Sequence, residues 1–452
     1  MKSPLSSPRL RRIITAYTVN RLGTWIAYVA LSLAVFDHTH SALAVAALLV
    51  AGQALPAFLV PAIVARVESS ERRGELSRLY YFEALATAAL AILLSHFWLP
   101  GMLLLVALDG TAALTASALL RAELARTARD NVEVQLETSV EPVGSIGKKS
   151  REPPSEKPLV GGVAEDAAHE AERKANAALN VAFAVTFVLG PALGGVLVST
   201  AGAPAALFVD VASFLVCGAL LIDLHPNVEE AGDSSVRARL GAAWRHINEA
   251  PSLRALLLVE AVALVFAESA GPIEVAYAKI TLHVGDSGFG LLVGSWGAGA
   301  VLGSLVFARS LSRPLGVLLS TGTLAVGLAY VGFAVAPSLW LACGAALIGG
   351  VGNGVELPSL TSIVQRITPK DLHSRIMGAV ESLVALCVAA GLPLGGALVV
   401  LTSPRAAFAL VGLGAVATTP MLLILSLRGT AAADRHERPA ATGRPAGQPG
   451  QS

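Results

Sequence analysis

Twelve apolar runs, each of about 20 residues, leave this chain few ways to fold. They fall near 13 to 36, 42 to 65, 79 to 97, 100 to 121, 175 to 199, 205 to 224, 254 to 279, 287 to 308, 314 to 335, 338 to 364, 376 to 401 and 405 to 427. A helix of about 20 apolar residues crosses a hydrocarbon core of roughly 30 Å. Inside lipid, only helices and closed barrels satisfy every backbone donor and acceptor. The chain is 54% hydrophobic and 14% charged, with a mean hydropathy of +0.65, whereas soluble domains carry about 25% charged residues. The expected fold class is an all-α polytopic membrane protein with about twelve transmembrane helices.

The start, "MKSPLSSPRLRRIITAYTV", has the basic flank of a signal peptide, but its apolar run continues to about Val35 without a cleavage site, so an uncleaved first span is expected. The three cysteines, Cys217, Cys343 and Cys387, lie in apolar runs with no paired spacing and are expected to pack, not to bind metal or form disulfides. A net charge of +1 with no basic patch argues against a nucleic-acid partner. Arginine and lysine fall on alternate sides: Arg66, Arg78, Arg121, Arg126, Arg237, Arg245, Arg309, Arg313, Arg366 and Arg375 share one set of loops, and Lys279 and Arg405 are the exceptions. The positive-inside rule then places both termini in the cytoplasm.

Two polar stretches punctuate the spans. Residues 131–165, rich in Ser, Pro, Glu and Lys, are expected to be a disordered cytoplasmic insert, serving as plain linker or as a small docking element. Residues 226–250 read as a linker between a first six-helix bundle, 1–225, and a second, 251–428, and residues 429–452 as a disordered tail. The halves echo each other: "GPALGG" in span 5 has its counterpart "GLPLGG" (Gly391 to Gly396) in span 11, where a six-span repeat would place it. Internal repeats of this kind point to two pseudo-symmetric bundles around a central site.

Glycine and proline inside span 5 require a reason, because water-soluble helices avoid them. Small residues four apart, Gly190 and Gly194, mark a groove for close helix packing in lipid, and Gly299 and Gly303 repeat the spacing in span 8. Pro191 removes a backbone hydrogen bond and bends its helix. Tight static packing and a moving pivot both fit these residues.

The stretch "ERKANAALNVAFAVTFVLGPALGGVLVSTAGAPAALFVDVASFLV" resembles spans 5 and 6 of the major facilitator superfamily, in its drug and siderophore exporter branch of enterobactin-exporter-like and macrolide-efflux-permease-like proteins. Asn176, Gly190, Pro191, Gly194, Gly195 and Asp210 match that branch's pattern. The likeness continues through "VNRLGTWIAYVALSLAVFDHTHSALAV", "GSWGAGAVLGSLVF" and "VQRITPKDLHSRIMG". It implies the two-bundle facilitator fold and an exporter motif on helix 5 that seals a moving interface. The loop after span 2, "VARVESSERRG", departs from the family's glycine-rich latch; Glu68 stands for the aspartate and Arg72 and Arg73 for the basic pair, so it is either a working latch or a solvated turn.

Ionisable groups at membrane depth point to function. Asp109 lies nine positions after Pro100, about 14 Å deep at 1.5 Å per residue, and Arg21 is similarly deep in span 1. The resemblance implies a cavity lined by spans 1, 4, 7 and 10, so that Arg21 and Asp109 would face each other as a pair, joined by Glu260 and Glu268 of span 7 and Glu356 of span 10. These acids are candidates for proton coupling or for structural hydrogen bonds. Glu274 reads as too near the outer surface and Glu381 as too near the inner one, while Asp210 is expected to be structural, near span 5. Trp25, Tyr28, Phe36 and Trp296 could line the cavity or pack elsewhere.

No G-x-x-x-x-G-K-[ST] loop, hydrolase constellation or His/Cys metal cluster occurs, so neither an enzyme nor a cofactor is expected. The sequence therefore leads to a monomeric multi-pass transporter of the cell membrane, exporting an amphipathic or lipophilic small molecule by proton antiport. An uptake permease and a transport-inactive sensor or scaffold are the alternatives.

Overall fold

The computed structural model describes residues 7–60, 75–139, 158–223, 245, 247–248, 250–310, 312–368 and 372–437. Twelve helices long and apolar enough to cross a membrane account for them: α1 (Pro8–Thr39), α2 (Ala42–Val60), α3 (Glu75–His96), α4 (Leu99–Ser139), α5 (Pro158–Ala201), α6 (Ala203–Leu220), α7 (Leu253–Thr281), α8 (Asp286–Arg309), α9 (Leu315–Val335), α10 (Leu339–Ile367), α11 (His373–Leu401) and α12 (Pro404–Glu437). Each expected span is found. The polar insert departs from expectation, since α4 runs on to Ser139 and α5 begins at Pro158, making both ends of 131–165 helical. Likewise the tail continues α12 as far as Glu437. The loop holding Glu68, Arg72 and Arg73 lies outside the described residues.

With an even number of crossings, the first and last helices begin and end on one side, called here the terminal face. Near that face, Leu10, Leu76, Leu120 and Leu179 form a core drawn from the first bundle alone, and Leu256, Leu319, Ile363 and Leu422 form one from the second. Toward the far face, by contrast, a single core mixes both, with Val29, Leu33 and Val45 packed among Val275, Phe289 and Leu392. The bundles are therefore joined in their far halves.

The two expected glycine motifs make that junction, and they do so symmetrically. On α5, a Cβ added to Gly190 would strike Trp25 of α1, one on Gly194 would meet Ile26 and Val29, and one on Gly195 would meet the Asp286 carbonyl and Gly290 of α8. On α11, the equivalent Gly391 and Gly395 lie against Val265, Glu268 and Ser269 of α7, and Gly396 lies against Ala42, Leu43 and Ala46 of α2. Each motif thus presses two glycines on a helix of its own bundle and one across the junction. Gly299 and Gly303 serve a different contact, with Leu347, Gly350, Val351 and Gly354 of α10 inside the second bundle.

Both exceptions to the charge bias have structural causes at the far face. Lys279 Nζ binds Asp37 of α1 and Asp286 of α8 at 2.9 and 2.7 Å, tying the bundles together. Arg405 donates to the carbonyls of Ala334 and Ala336, both at 2.9 Å, closing the C-terminal end of α9. The three cysteines are free and buried, as expected of packing residues.

Candidate functional site

Between the bundles lies a cavity of about 630 Å³. Its far end is lined by Leu31, Leu49, Gly271 and Leu392, and toward the terminal face the lining ends at Ala57, Leu114 and Glu381. A π-turn at Val50–Ala54 of α2 brings Gly52 and Gln53 to the wall, and α4 packs so closely there that a Cβ on Gly110 would strike the Gly52 carbonyl. The wall is mostly apolar, with Trp25 and Phe214 prominent, and it carries four carboxyl groups, Asp109, Asp210, Glu268 and Glu381, against one guanidinium, Arg21.

Trp25 is held in place by α5. Its ring stacks on Phe187 of α5 at 4.5 Å and meets Tyr28 edge-on at 5.7 Å, while its Cβ occupies the space that Gly190 leaves free. Sequence, packing and cavity shape are linked at this position.

Arg21 and Asp109 both reach the cavity, but they do not form the expected ion pair. Arg21 donates to Ser117 Oγ at 3.1 Å and lies over the Tyr17 ring at 5.3 Å. Asp109 instead accepts from Thr87 of α3 at 3.3 Å. The reason is the direction of the two side chains: Arg21 turns toward the terminal face along α4, and Asp109 toward α3.

Helix α10 does not line the cavity, which corrects the expectation for Glu260 and Glu356. Glycines bury α10 against its own bundle: Gly350 and Gly354 meet α8, and Gly352 meets Gly322 of α9. Glu356 accordingly accepts from Thr323 of α9 at 2.7 Å, and Glu260 is buried with neither oxygen hydrogen-bonded among the described residues. In place of α10, helices α2, α6 and α11 complete the wall, and Glu381 of α11 joins the lining despite its nearness to the terminal face. Trp296 also lies elsewhere, stacked on Tyr330 at 5.5 Å, and Phe36 is in the far core. Only Trp25 and Tyr28 of the four aromatics meet the cavity.

Asp210 differs too. Instead of facing α5, it projects toward α1, where only a glycine fits: a Cβ on Gly23 would overlap its Oδ1 and Ser213 Oγ. It accepts from Ser213 at 3.0 Å and lines the cavity. Not foreseen from the sequence is Glu83 of α3, which is fully buried; an acid four positions after the start of the third apolar run was the available signal.

A two-bundle helical membrane protein with a cavity between its halves has the architecture of a secondary transporter. The sequence pattern of the major facilitator family described as transmembrane secretion effector matches residues 154–443, and the chain belongs to that family. It is 27% identical over 256 residues to the multidrug efflux pump Tap of Mycolicibacterium fortuitum, an alignment covering 52% of this chain and 58% of Tap. The chain's match thus spans little more than half of that relative. Among solved structures, the nucleoside transporter NupG superposes with a TM-score of 0.64 at 11% identity, over 94% of this chain and 99% of NupG. A bacterial homologue of the iron transporter ferroportin, in an inward-facing state, gives 0.59 at 16%, over 93% and 98%. At these identities the two structures establish the fold, which agrees with the family: a multi-pass helical membrane protein of the facilitator type.

Proposed function

We propose that the protein exports an amphipathic or lipophilic small molecule from the cytoplasm by alternating access, in exchange for protons. The observation that carries this reading is the acid-lined apolar cavity, closed toward the far face by two symmetry-related glycine junctions. The arginine-rich loops argue that the terminal face is cytoplasmic, so the cavity stands open to the cell interior, ready to load an outgoing substrate. Rocking of the bundles about the site would expose it on the other side. The similarity to a multidrug efflux pump supports the outward direction.

Carboxyl groups in a partly desolvated wall can bind a proton in one conformation and release it in another. Asp109 and Glu268, one from each bundle, are the leading coupling residues because both line the cavity. Glu260 and Glu356, away from the lining, would act through the second bundle's conformation. If Glu68, Arg72 and Arg73 form a latch, it would govern closure at the cytoplasmic side.

Inside-out vesicles with an acid interior test the proposal. Lipophilic cations, macrolides and siderophores are added singly while a pH-sensitive dye follows the lumen. Export by antiport gives compound-dependent lumenal alkalinisation that Asp109→Asn abolishes. A verified, folded protein that moves none of the compounds, or moves one without a proton flux, would sink the antiport reading and favour a permease or scaffold.

A further inference from the structure

Behind the cavity wall, Glu83 is in an unusual position for an acid. It is 0% exposed, and among the described residues none hydrogen-bonds either of its carboxyl oxygens. It lies one turn from Thr87 on the same face of α3, and Thr87 is the donor to Asp109. The charged groups acting on Glu83 come from three other helices: Asp109 of α4, Asp210 of α6 and Arg21 of α1. Tyr80 on its own helix and Cys217 of α6 complete the titratable surroundings.

Arg21 is the one cation in this group, and its guanidinium is directed at Ser117 and Tyr17. An ionised Glu83 would therefore be a buried charge with neither a donor nor an ion-pair partner, at a cost of several kcal/mol. Two further carboxyl groups nearby would add repulsion. The pocket suits a neutral acid. Its neighbours Asp109 and Asp210 differ from it in one respect that matters: both line the cavity.

We propose that Glu83 is an occluded proton site that exchanges with the cavity through Asp109. In the exchange the Glu83 O–H bond breaks as an O–H bond forms on the aspartate, leaving a carboxylate at Glu83 and an acid at the cavity wall. Thr87, whose hydroxyl both donates and accepts, is placed to relay the proton. The use of this proton in transport rests on the antiport reading above, whereas its residence on Glu83 does not.

Infrared spectroscopy of the purified full chain in lipid nanodiscs tests the site without any substrate. At neutral pH, wild type minus Glu83→Gln should show the C=O band of a protonated carboxylic acid, and the band should shift in D2O. Glu260, whose oxygens are likewise unpartnered, contributes to both spectra and cancels. Glu83→Asp, which keeps the acid, should displace the band instead of removing it, and this arm decides the matter if the glutamine variant does not fold. Spectra of wild type and a folded variant that superimpose in the carboxylic-acid C=O region would show Glu83 ionised and overturn the proposal; a band indifferent to D2O would overturn the exchange. If wild type transports nothing, the exporter reading fails and the infrared result still stands.

Discussion

The junction of α5 with α8 makes a quantitative prediction about alternating access. Gly290 faces backbone: an added Cβ would overlap the Pro191 carbonyl oxygen and approach Gly195 Cα and N to 2.9 and 3.0 Å. Backbone in two packed helices cannot move aside as a flexible side chain can, so Gly290→Ala overpacks the closed far side. Overpacking of this sort costs about 1–3 kcal/mol. Alanine also improves helix propensity by up to about 1 kcal/mol, but that gain is common to both conformations while the helix stays intact, and it cancels from the equilibrium between them. The remaining 1–3 kcal/mol should raise the population open to the far face by roughly 5- to 150-fold. Leu31, at the closed end of the cavity, is a suitable reporter. In Leu31→Cys, modification by a membrane-impermeant maleimide added at the far face should accelerate by that factor when Gly290→Ala is introduced. The three native cysteines are buried and give little background. Gly344→Ala serves as the control, because its Cβ would meet nothing within 4 Å. An unchanged rate in Gly290→Ala, or an equal change in Gly344→Ala, would refute the idea that this junction is specific to one state.

Further expectations concern ion pairs and the wall. Lys279→Met removes both ties to Asp37 and Asp286; because these groups are partly exposed the loss should be modest, at about 1 kcal/mol or less, and the same maleimide assay should show a severalfold faster reaction. Near the terminal face, Glu123 has a fully buried side chain held by Arg9 at 2.8 Å and Arg126 at 3.1 Å. The double change Arg9→Met, Arg126→Met leaves this carboxylate without a cationic partner and with only the Thr127 hydroxyl as donor, and thermal unfolding in detergent should report a loss of about 3 kcal/mol, whereas adding Glu123→Gln should restore part of it. Gly23→Ala should displace Asp210 from α1, lowering compound-driven proton flux in the vesicle assay while leaving the amount of folded protein in the membrane unchanged; a normal flux would count against Asp210 having a place in the wall that matters.

The twelve spans and both glycine motifs follow from the sequence alone, since span length and the spacing of small residues are properties of a line. The positions of Gly190, Gly194 and Gly195 match those of Gly391, Gly395 and Gly396 in the chain, and their contacts match in space. Which acids face the cavity is a different kind of fact. A membrane helix apolar on all sides carries no amphipathic stripe to show which way it is turned, and one residue of register moves a side chain by about 100° around the axis. Asp210, Glu381 and Glu83 acquired their positions, and Glu260 and Glu356 lost a place in the wall, through the rotation and tilt of whole helices. Those are set by contacts between helices distant in sequence, such as Gly23 against Asp210 and Gly322 against Gly352, and only the assembled bundle contains them.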